Sequence, residues 1–350
     1  MNFSAVCIVG GGLIGGSISL ALTKIGVPHY VQDTDDEVIQ ILQSKGDVQT
    51  LQAPEQIGIV FIAVPPNETS DRIEWALDFF PNAIIADVAS VKGMFAEQIS
   101  RKPSYSRYVG SHPMAGREVS GAAAADSNIF ADRIWIVCVN NHNFKSAARI
   151  VELVSKFGAI PVELNAQDHD SLMAVVSHLP QLLSYELAKV AVDSEADLNL
   201  AGQGFRDMTR ISSSSTDLWS QIFAVNHTYV KNVLDIYIDH LIRFSNALID
   251  PDVSKISELL VQAQIASNKL PGKHGGKSAE YGVLKLRVKD EPGSLASLFN
   301  LAGQIHLNIE DVIIEHVLNR PIAVVTIMIN KSEVERAREA FLNNGWDLRE

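Results

Sequence analysis

Over the first half of the chain, apolar runs of strand length alternate with amphipathic stretches. The runs are Ala5 to Val9, Pro28 to Gln32, Ile57 to Val64, Ala83 to Val88, Arg107 to Gly110, Ile134 to Val139 and Ala159 to Leu164. Near-continuous Val/Ile-rich segments separated by helix-period stretches predict a mostly parallel sheet covered by helices. From His169 to Leu270 the strands stop, and apolar positions recur at helical spacing: Leu172, Val175, Val176, Leu179, Leu182, Leu183, Leu187, Val190. Pro180 falls inside this pattern and predicts a kink. Pro271 to Lys277 then reads as a flexible linker. Beyond it come a strand at Val283 to Val288, a turn at Asp290 to Gly293, a helix at Ser294 to Ile305, strands at Ile309 to His316 and Ile322 to Ile329, and a helix at Ser332 to Asn343. A short strand near Trp346 to Leu348 completes a βαββαβ order. The expected organisation is α/β, with a doubly wound domain over 1–168, an all-α domain over 169–270, a linker over 271–281 and a βαββαβ domain over 282–350.

The 350 residues exceed what one hydrophobic core usually holds, in keeping with several domains. A net charge of -12 disfavours nucleic acid and anionic membrane surfaces as partners and points to a small molecule. No apolar run approaches the roughly 20 residues that cross a bilayer. The first residues lead straight into a strand without a basic, cleavable leader, so a cytoplasmic location is expected. Cys7 and Cys138 each sit in an apolar run, as buried reduced thiols do, and neither a disulfide framework nor a metal site is expected.

Gly10-Gly11-Gly12-Leu13-Ile14-Gly15 follows the first strand and opens a helix, the context in which a dinucleotide fingerprint is meaningful and a Rossmann-type domain is expected. Gly10 permits the tight turn, Gly12 the approach of the pyrophosphate, and Gly15 the packing of helix on strand. Asp33, about twenty residues on, is placed to accept the ribose hydroxyls and would repel a 2′-phosphate, which selects NAD. The bland alternative makes the glycines an ordinary turn and Asp33 a helix cap, a task for which Asp35 is better placed.

Ligands of such sheets bind beyond the strand ends, where Val64-Pro65-Pro66, Asp87 to Lys92 and Ser111 to Glu118 lie. His112 is the acid/base candidate, because imidazole titrates near neutrality and Pro113 restricts its backbone. Ser90 either orients that imidazole or the substrate, or caps a helix. In the helical part His178 and Gln181 share a polar face with Ser171, Ala174 and Tyr185, opposite the Leu/Val stripe; that face is solvent or cleft. Arg206 and Arg210 lie one turn apart if helical, suited to bidentate carboxylate binding, or else to surface ion pairs with Asp207 or Asp217.

These segments, taken in order, resemble the prephenate and arogenate dehydrogenase family over most of the first 270 positions. The matching motifs are Val9 to Ser17, Asp87 to Lys92, Ser111 to Gly116, Val176 to Pro180 and Gly204 to Ile211. The resemblance implies NAD-dependent oxidative decarboxylation of prephenate to 4-hydroxyphenylpyruvate and CO2, in tyrosine biosynthesis, by a homodimer. It implies that His112 takes the ring hydroxyl proton with help from Ser90, that Arg210 binds a substrate carboxylate, that Glu118 gates or hydrogen-bonds the site, and that Trp219 stands near the pocket. Gln181 lies where arogenate-selective relatives tend to carry an acid; a neutral amide offers arogenate's ammonium no counter-charge, which favours prephenate. The C-terminal unit resembles an ACT domain, with Asp290, Gly293 and Asn308 in its ligand loop, which implies tyrosine as an effector. Two other readings stand beside this one. A catalytically silent NAD and amino-acid sensor would not need His112, Ser90 and Arg210 together. A β-hydroxyacid dehydrogenase would need a catalytic lysine, for which Lys189 is available.

Overall fold

The computed structural model describes residues 5–46, 48–49, 53–116, 119, 121–267, 269, 281–317 and 320–349. The chain divides into two compact units, Met1–Ile238 and Asp239–Glu350. The first contains β1 (Ala5–Val9), α1 (Leu13–Lys24), β2 (His29–Gln32), α2 (Asp36–Lys45), β3 (Val48–Gln49), β4 (Ile57–Ile62), α3 (Pro66–Phe79), β5 (Ile84–Asp87), α4 (Gly93–Ile99), β6 (Tyr108–Pro113), β7 (Ile134–Cys138), α5 (Phe144–Lys156) and β8 (Ile160–Leu164). These strands form one sheet in the order β3-β2-β1-β4-β5-β6-β7-β8, parallel except between β6 and β7. The order reverses between β1 and β4, the switch point at which the loops after both strands open a crevice.

Each face of the sheet buries its own apolar cluster. Ile8, Ile18, Leu22, Phe61, Trp135 and Leu153 belong to one cluster, and Val60, Ile73, Leu77, Phe80, Ile85 and Phe95 to the other. Burying both faces explains why these strands read as unbroken apolar runs. Cys7 and Cys138 are buried in β1 and β7, and desolvation pushes both thiols up to about 12, which leaves them unreactive.

Two strand expectations are corrected. The expected strand ending at Gly110 continues to Pro113, so His112 lies inside β6 and not in a loop beyond it. Polar Ser111 and His112 mask this extension, which β7 stabilises by pairing Ser111 with Val137, His112 with Ile136 and Pro113 with Trp135. The short β3 is an addition to the expected strands, because two residues carry no periodic signal.

After β8 come α6 (Ala166–Met173), a π-helical turn (Ala174–His178), α7 (Leu179–Asp193), α8 (Gln203–Thr209), α9 (Thr216–Val225) and α10 (His227–Ile249), which crosses the division between units. Asn165 starts α6 by accepting from the Asp168 N–H at 2.7 Å. The expected kink at Pro180 takes the form of the π turn just before it: proline lacks the N–H for the regular ladder, and a wider turn absorbs the misfit.

The second unit holds α11 (Val253–Ser267), β9 (Tyr281–Lys289), α12 (Ser294–Gln304), β10 (Asp311–His316), β11 (Ile322–Asn330), α13 (Val334–Asn343) and β12 (Asp347–Arg349). Its sheet is antiparallel in the order β10-β11-β9-β12, and Leu284, Leu286, Val325 and Ile327 pack with Leu298, Leu301 and Phe341 of the two helices α12 and α13. The element order from β9 onward is βαββαβ. Of the expected linker, residues 271–280 lie outside the described residues.

Candidate active site

The loop between β1 and α1 is built around two glycines that nothing else can replace. Gly10 has φ +94°, and a Cβ there would lie 2.4 Å from the Ala63 carbonyl oxygen. A Cβ on Gly15 would lie 1.9 Å from the Gly10 oxygen. Gly12 differs: its Cβ would meet no protein atom within 4 Å, so open space lies over it. No side chain caps the start of α1 at Gly12, which leaves first-turn N–H groups facing that space. Gly10, Gly12, Asp33, Val64 and Pro65 line a cavity of about 500 Å3 together with Trp75. Leu13 and Ile14 open α1 beside it. Asp33 accepts from the Gly11 N–H at 2.7 Å and the Asp35 N–H at 3.0 Å, so it braces the glycine loop. Asp35, as expected, is the cap of α2. The geometry fits a dinucleotide: an open glycine at a helix start, with a carboxylate where the ribose would lie. Arg72 and Trp75 come to this cavity from α3, and no sequence motif points to them.

Around the ends of β5 and β6 the buried polar groups form a chain. His112 Nδ1 lies 2.9 Å from His169 Nε2, and His169 Nδ1 lies 2.8 Å from Asp170 Oδ1. Asp170 also accepts the backbone N–H groups of Lys92 at 2.8 Å and Gly93 at 2.7 Å, so its carboxylate caps the start of α4. The chain's proton positions follow from donor and acceptor logic. Asp170, taking two backbone N–H groups, is the ionised acceptor, which makes His169 Nδ1 a donor. Burial lowers the His169 imidazole from its usual range, so it is neutral and its Nε2 must accept. His112 Nδ1 therefore donates. Burial first, then the neighbouring His169 imidazole, the Lys92 ammonium and the His178 imidazole, hold His112 well below the usual imidazole range, which leaves its Nε2 a bare lone pair.

His178 is arranged the opposite way. Asn226 Nδ2 donates to the Asp170 carbonyl at 2.9 Å and lies 3.0 Å from His178 Nδ1, which must accept. The neutral ring then carries its proton on Nε2. Burial pushes this imidazole down to about 4, and Trp219 packs edge-on against it at 5.9 Å between ring centroids. One imidazole offers an acceptor and another a donor.

These buried neutral histidines give a pH prediction. An unfolded imidazole titrates near 6.5, above the folded values, so the unfolded chain binds more protons as pH falls through this window. Stability is fully present above about pH 6.5 and is lost as pH falls toward 4, by about 3 kcal/mol for His178 alone. Thermal unfolding followed from pH 7.5 to 5 should show a falling midpoint; a flat profile would contradict the neutral assignment.

The remaining candidates separate. Gln181 is buried, one turn beyond His178, and its Nε2 donates to the Ile211 carbonyl at 2.7 Å, beside Arg210. The polar face of α6 and α7 is therefore the covered one, while Leu172, Val175, Val176 and Val190 are exposed. Ser171 drops out of that face, because the π turn shifts the register. Tyr185 donates to the Ser214 carbonyl at 3.0 Å, which ties α7 to the segment after Arg210. Arg206 and Arg210 stand four positions apart in one helical run, α8 to Thr209 continued directly by a 3-10 turn that Arg210 opens. Arg206 is exposed, and its Nε donates back to the Ala201 carbonyl at 3.2 Å. Ser90 is not a helix cap, since α4 starts at Gly93 with Lys92 at its cap position, and among the described residues no hydrogen bond joins it to His112. Lys189 is exposed and pairs with Asp193. Glu118 lies outside the described residues. In the second unit Asp290 faces His316 at 3.3 Å and Asn308 donates to Glu310 at 2.6 Å, with Gly293 preceding α12.

Sequence reasoning passes over His169, Asp170 and Asn226 and gives Asp87 and Lys92 no role. The available signal is a His-Asp pair just inside a capped helix, but its partner stands 57 residues away. Among the described residues no helix is long and apolar enough to cross a membrane.

The sequence matches two family models: that of the prephenate dehydrogenase nucleotide-binding domain over residues 18–162, and that of the prephenate dehydrogenase dimerization domain over residues 165–262. It is 27% identical to the probable prephenate dehydrogenase NovF of Streptomyces niveus, over 97% of this chain and 98% of that one. It is 27% identical to prephenate dehydrogenase of Bacillus subtilis, over 88% and 87%. The fold is similar to a crystal structure of prephenate dehydrogenase from A. aeolicus in complex with hydroxyphenyl propionate and NAD+, with a TM-score of 0.68 and 24% identity over 76% of this chain and 98% of that one.

Proposed function

The chain belongs to the prephenate dehydrogenase family, is an NAD-dependent dehydrogenase that converts prephenate to 4-hydroxyphenylpyruvate and CO2, and we propose that His112 is its general base. The observation that carries the residue assignment is the chain from Asp170 through His169, which leaves His112 Nε2 as an acceptor. The Gly10 to Gly15 loop, Asp33, Val64 and Pro65 hold the cofactor. NAD, when bound, supplies the hydride acceptor for the ring carbon that carries the hydroxyl. His112 takes the hydroxyl proton as the carbon is oxidised. The ring carboxylate then leaves as CO2, its electron pair passes through the ring to the new carbonyl oxygen, and the proton returns there from His112. Aromatisation drives that step, so the protein need only bind and align.

His178, with its Nε2 proton, and Arg210 bind substrate carboxylates; Arg206 stands further out, Trp219 fixes the His178 ring, and Ser90 orients the hydroxyl. Arg210→Ala should raise KM for prephenate about 10- to 100-fold, the worth of one charged hydrogen-bonded contact, with a smaller change in kcat. An unchanged KM would remove Arg210 from the site. Gln181, uncharged and with its amide N–H spent on Ile211, offers an ammonium no counter-charge, which supports prephenate over arogenate. Parallel assays in which arogenate has the larger kcat/KM would reverse that choice.

The exposed Leu172, Val175, Val176 and Val190 support a homodimer covering that face; light scattering from a monomer would refute it. The βαββαβ unit, with the turn at Asp290 and Gly293, supports an ACT domain that senses tyrosine, an idea that equilibrium dialysis without tyrosine binding would end. Dependence on NAD supports cytoplasmic residence, which fractionation of expressing cells would test.

A further inference from the structure

Lys92 is only 1% exposed, and its two ends hold two different carboxylates. Its backbone N–H donates to Asp170 Oδ1 at 2.8 Å, at the end of the imidazole chain, while its ammonium pairs with Asp87. The stem lies against Gly110, where a Cβ would come 2.9 Å from Lys92 Cδ, so β6 leaves it a fixed channel. Asp87 accepts further from the Tyr108 hydroxyl at 2.8 Å and the Ala89 N–H at 3.0 Å. A buried ion pair is weak evidence for stability, since apolar residues of similar volume often serve as well. What an apolar pair cannot supply is charge. Among the described residues, the groups enclosed with His112 are His169 and Asp170 from α6, Asp87 from β5, Lys92 from the following loop, Tyr108 from β6, the uncharged Cys138 thiol from β7, and His178 with Asn226 from the helical part. Two carboxylates face three neutral imidazoles, with one cation among them.

We propose that Lys92 is a positioning residue for His112: its main chain clamps Asp170, and its ammonium offsets one buried carboxylate so that the imidazole pair stays free of an extra proton. The proposal rests on His112 acting as the base. The Lys92 charge lowers both His112 and His169, in the direction of the larger effect of burial, whereas Asp87 and Asp170 raise His169. Without the cation, two uncompensated carboxylates would draw a proton onto the pair at a higher pH and narrow the range over which the base is free.

The test is the pH dependence of kcat/KM for prephenate-dependent NADH formation by the full chain as wild type, Lys92→Gln, Asp87→Asn and the double variant, with NAD binding measured as a check on folding. The acid limb should move up by about one pH unit in Lys92→Gln. It should move down in Asp87→Asn and return near the wild-type position in the double variant, whose enclosed net charge is the original one. A merely structural role predicts loss at every pH with the limb unmoved, and that result would overturn the inference. Should Lys92→Gln fail to fold, the double variant and Asp87→Asn decide: a limb that stays with the wild type in the first and drops in the second upholds it, and any other pattern overturns it. A wild type that makes no NADH from prephenate overturns the functional reading itself, and the inference with it.

Discussion

His112→Asn should lower kcat on prephenate by about 10³-fold, within the range a positioned base contributes, while leaving NAD affinity unchanged. Asparagine suits the geometry of the test. It fits the β6 position opposite Ile136 and can still meet His169, but its amide offers no titrating lone pair where His112 Nε2 stood. The cofactor loop and Asp33 belong to other strands, so NAD titration should be indistinguishable from wild type. Turnover within a few-fold of wild type would remove His112 from the chemistry.

Asp170→Asn should be nearly as damaging, with a loss of about 10²-fold or more in kcat and little change in KM, although Asp170 touches no substrate. The reason is tautomeric. The Lys92 N–H and His169 Nδ1 share Oδ1 while the Gly93 N–H meets Oδ2, so an amide at 170 keeps only one of the two backbone contacts, and with its oxygen on the Gly93 N–H its NH2 takes the Oδ1 position and donates to His169 Nδ1. His169 Nδ1 then accepts, its Nε2 becomes the donor, and His112 Nδ1 must accept in turn. His112 Nε2 is left protonated, and the base is gone with every ring still in place. In serine proteases the same exchange of an aspartate that fixes a histidine tautomer drops kcat by about 10⁴. A kcat near wild type would show that the imidazole chain does not set the tautomer.

How much of this can be read in the sequence depends on the range of each contact. The parallel strands, the turn after β1 and the acid at Asp33 are local patterns with a period or a fixed spacing, and the structure has the strands and the turn at those positions, with Asp33 beside the glycine loop. His112 is identifiable by residue type, but its place inside β6 is not, because two polar residues in a strand look like a loop until β7 supplies the ladder. His169 and Asp170 go unread because their meaning is tertiary: α6 carries them to α4 and β6, across 57 to 78 positions of chain. The polar face of α7 is legible as a face, yet only packing decides whether it meets solvent or a cleft. Arg206 and Arg210 stand on one helical run as their spacing suggests, but that Arg206 is exposed and turns back to the Ala201 carbonyl is decided by the fold.

The most direct test is NADH formation by the purified full chain given NAD and prephenate, with 4-hydroxyphenylpyruvate quantified in the same reaction. Prephenate-dependent NADH is expected in a one-to-one ratio with that product. A chain that binds NAD but makes neither NADH nor 4-hydroxyphenylpyruvate from prephenate would contradict the assignment.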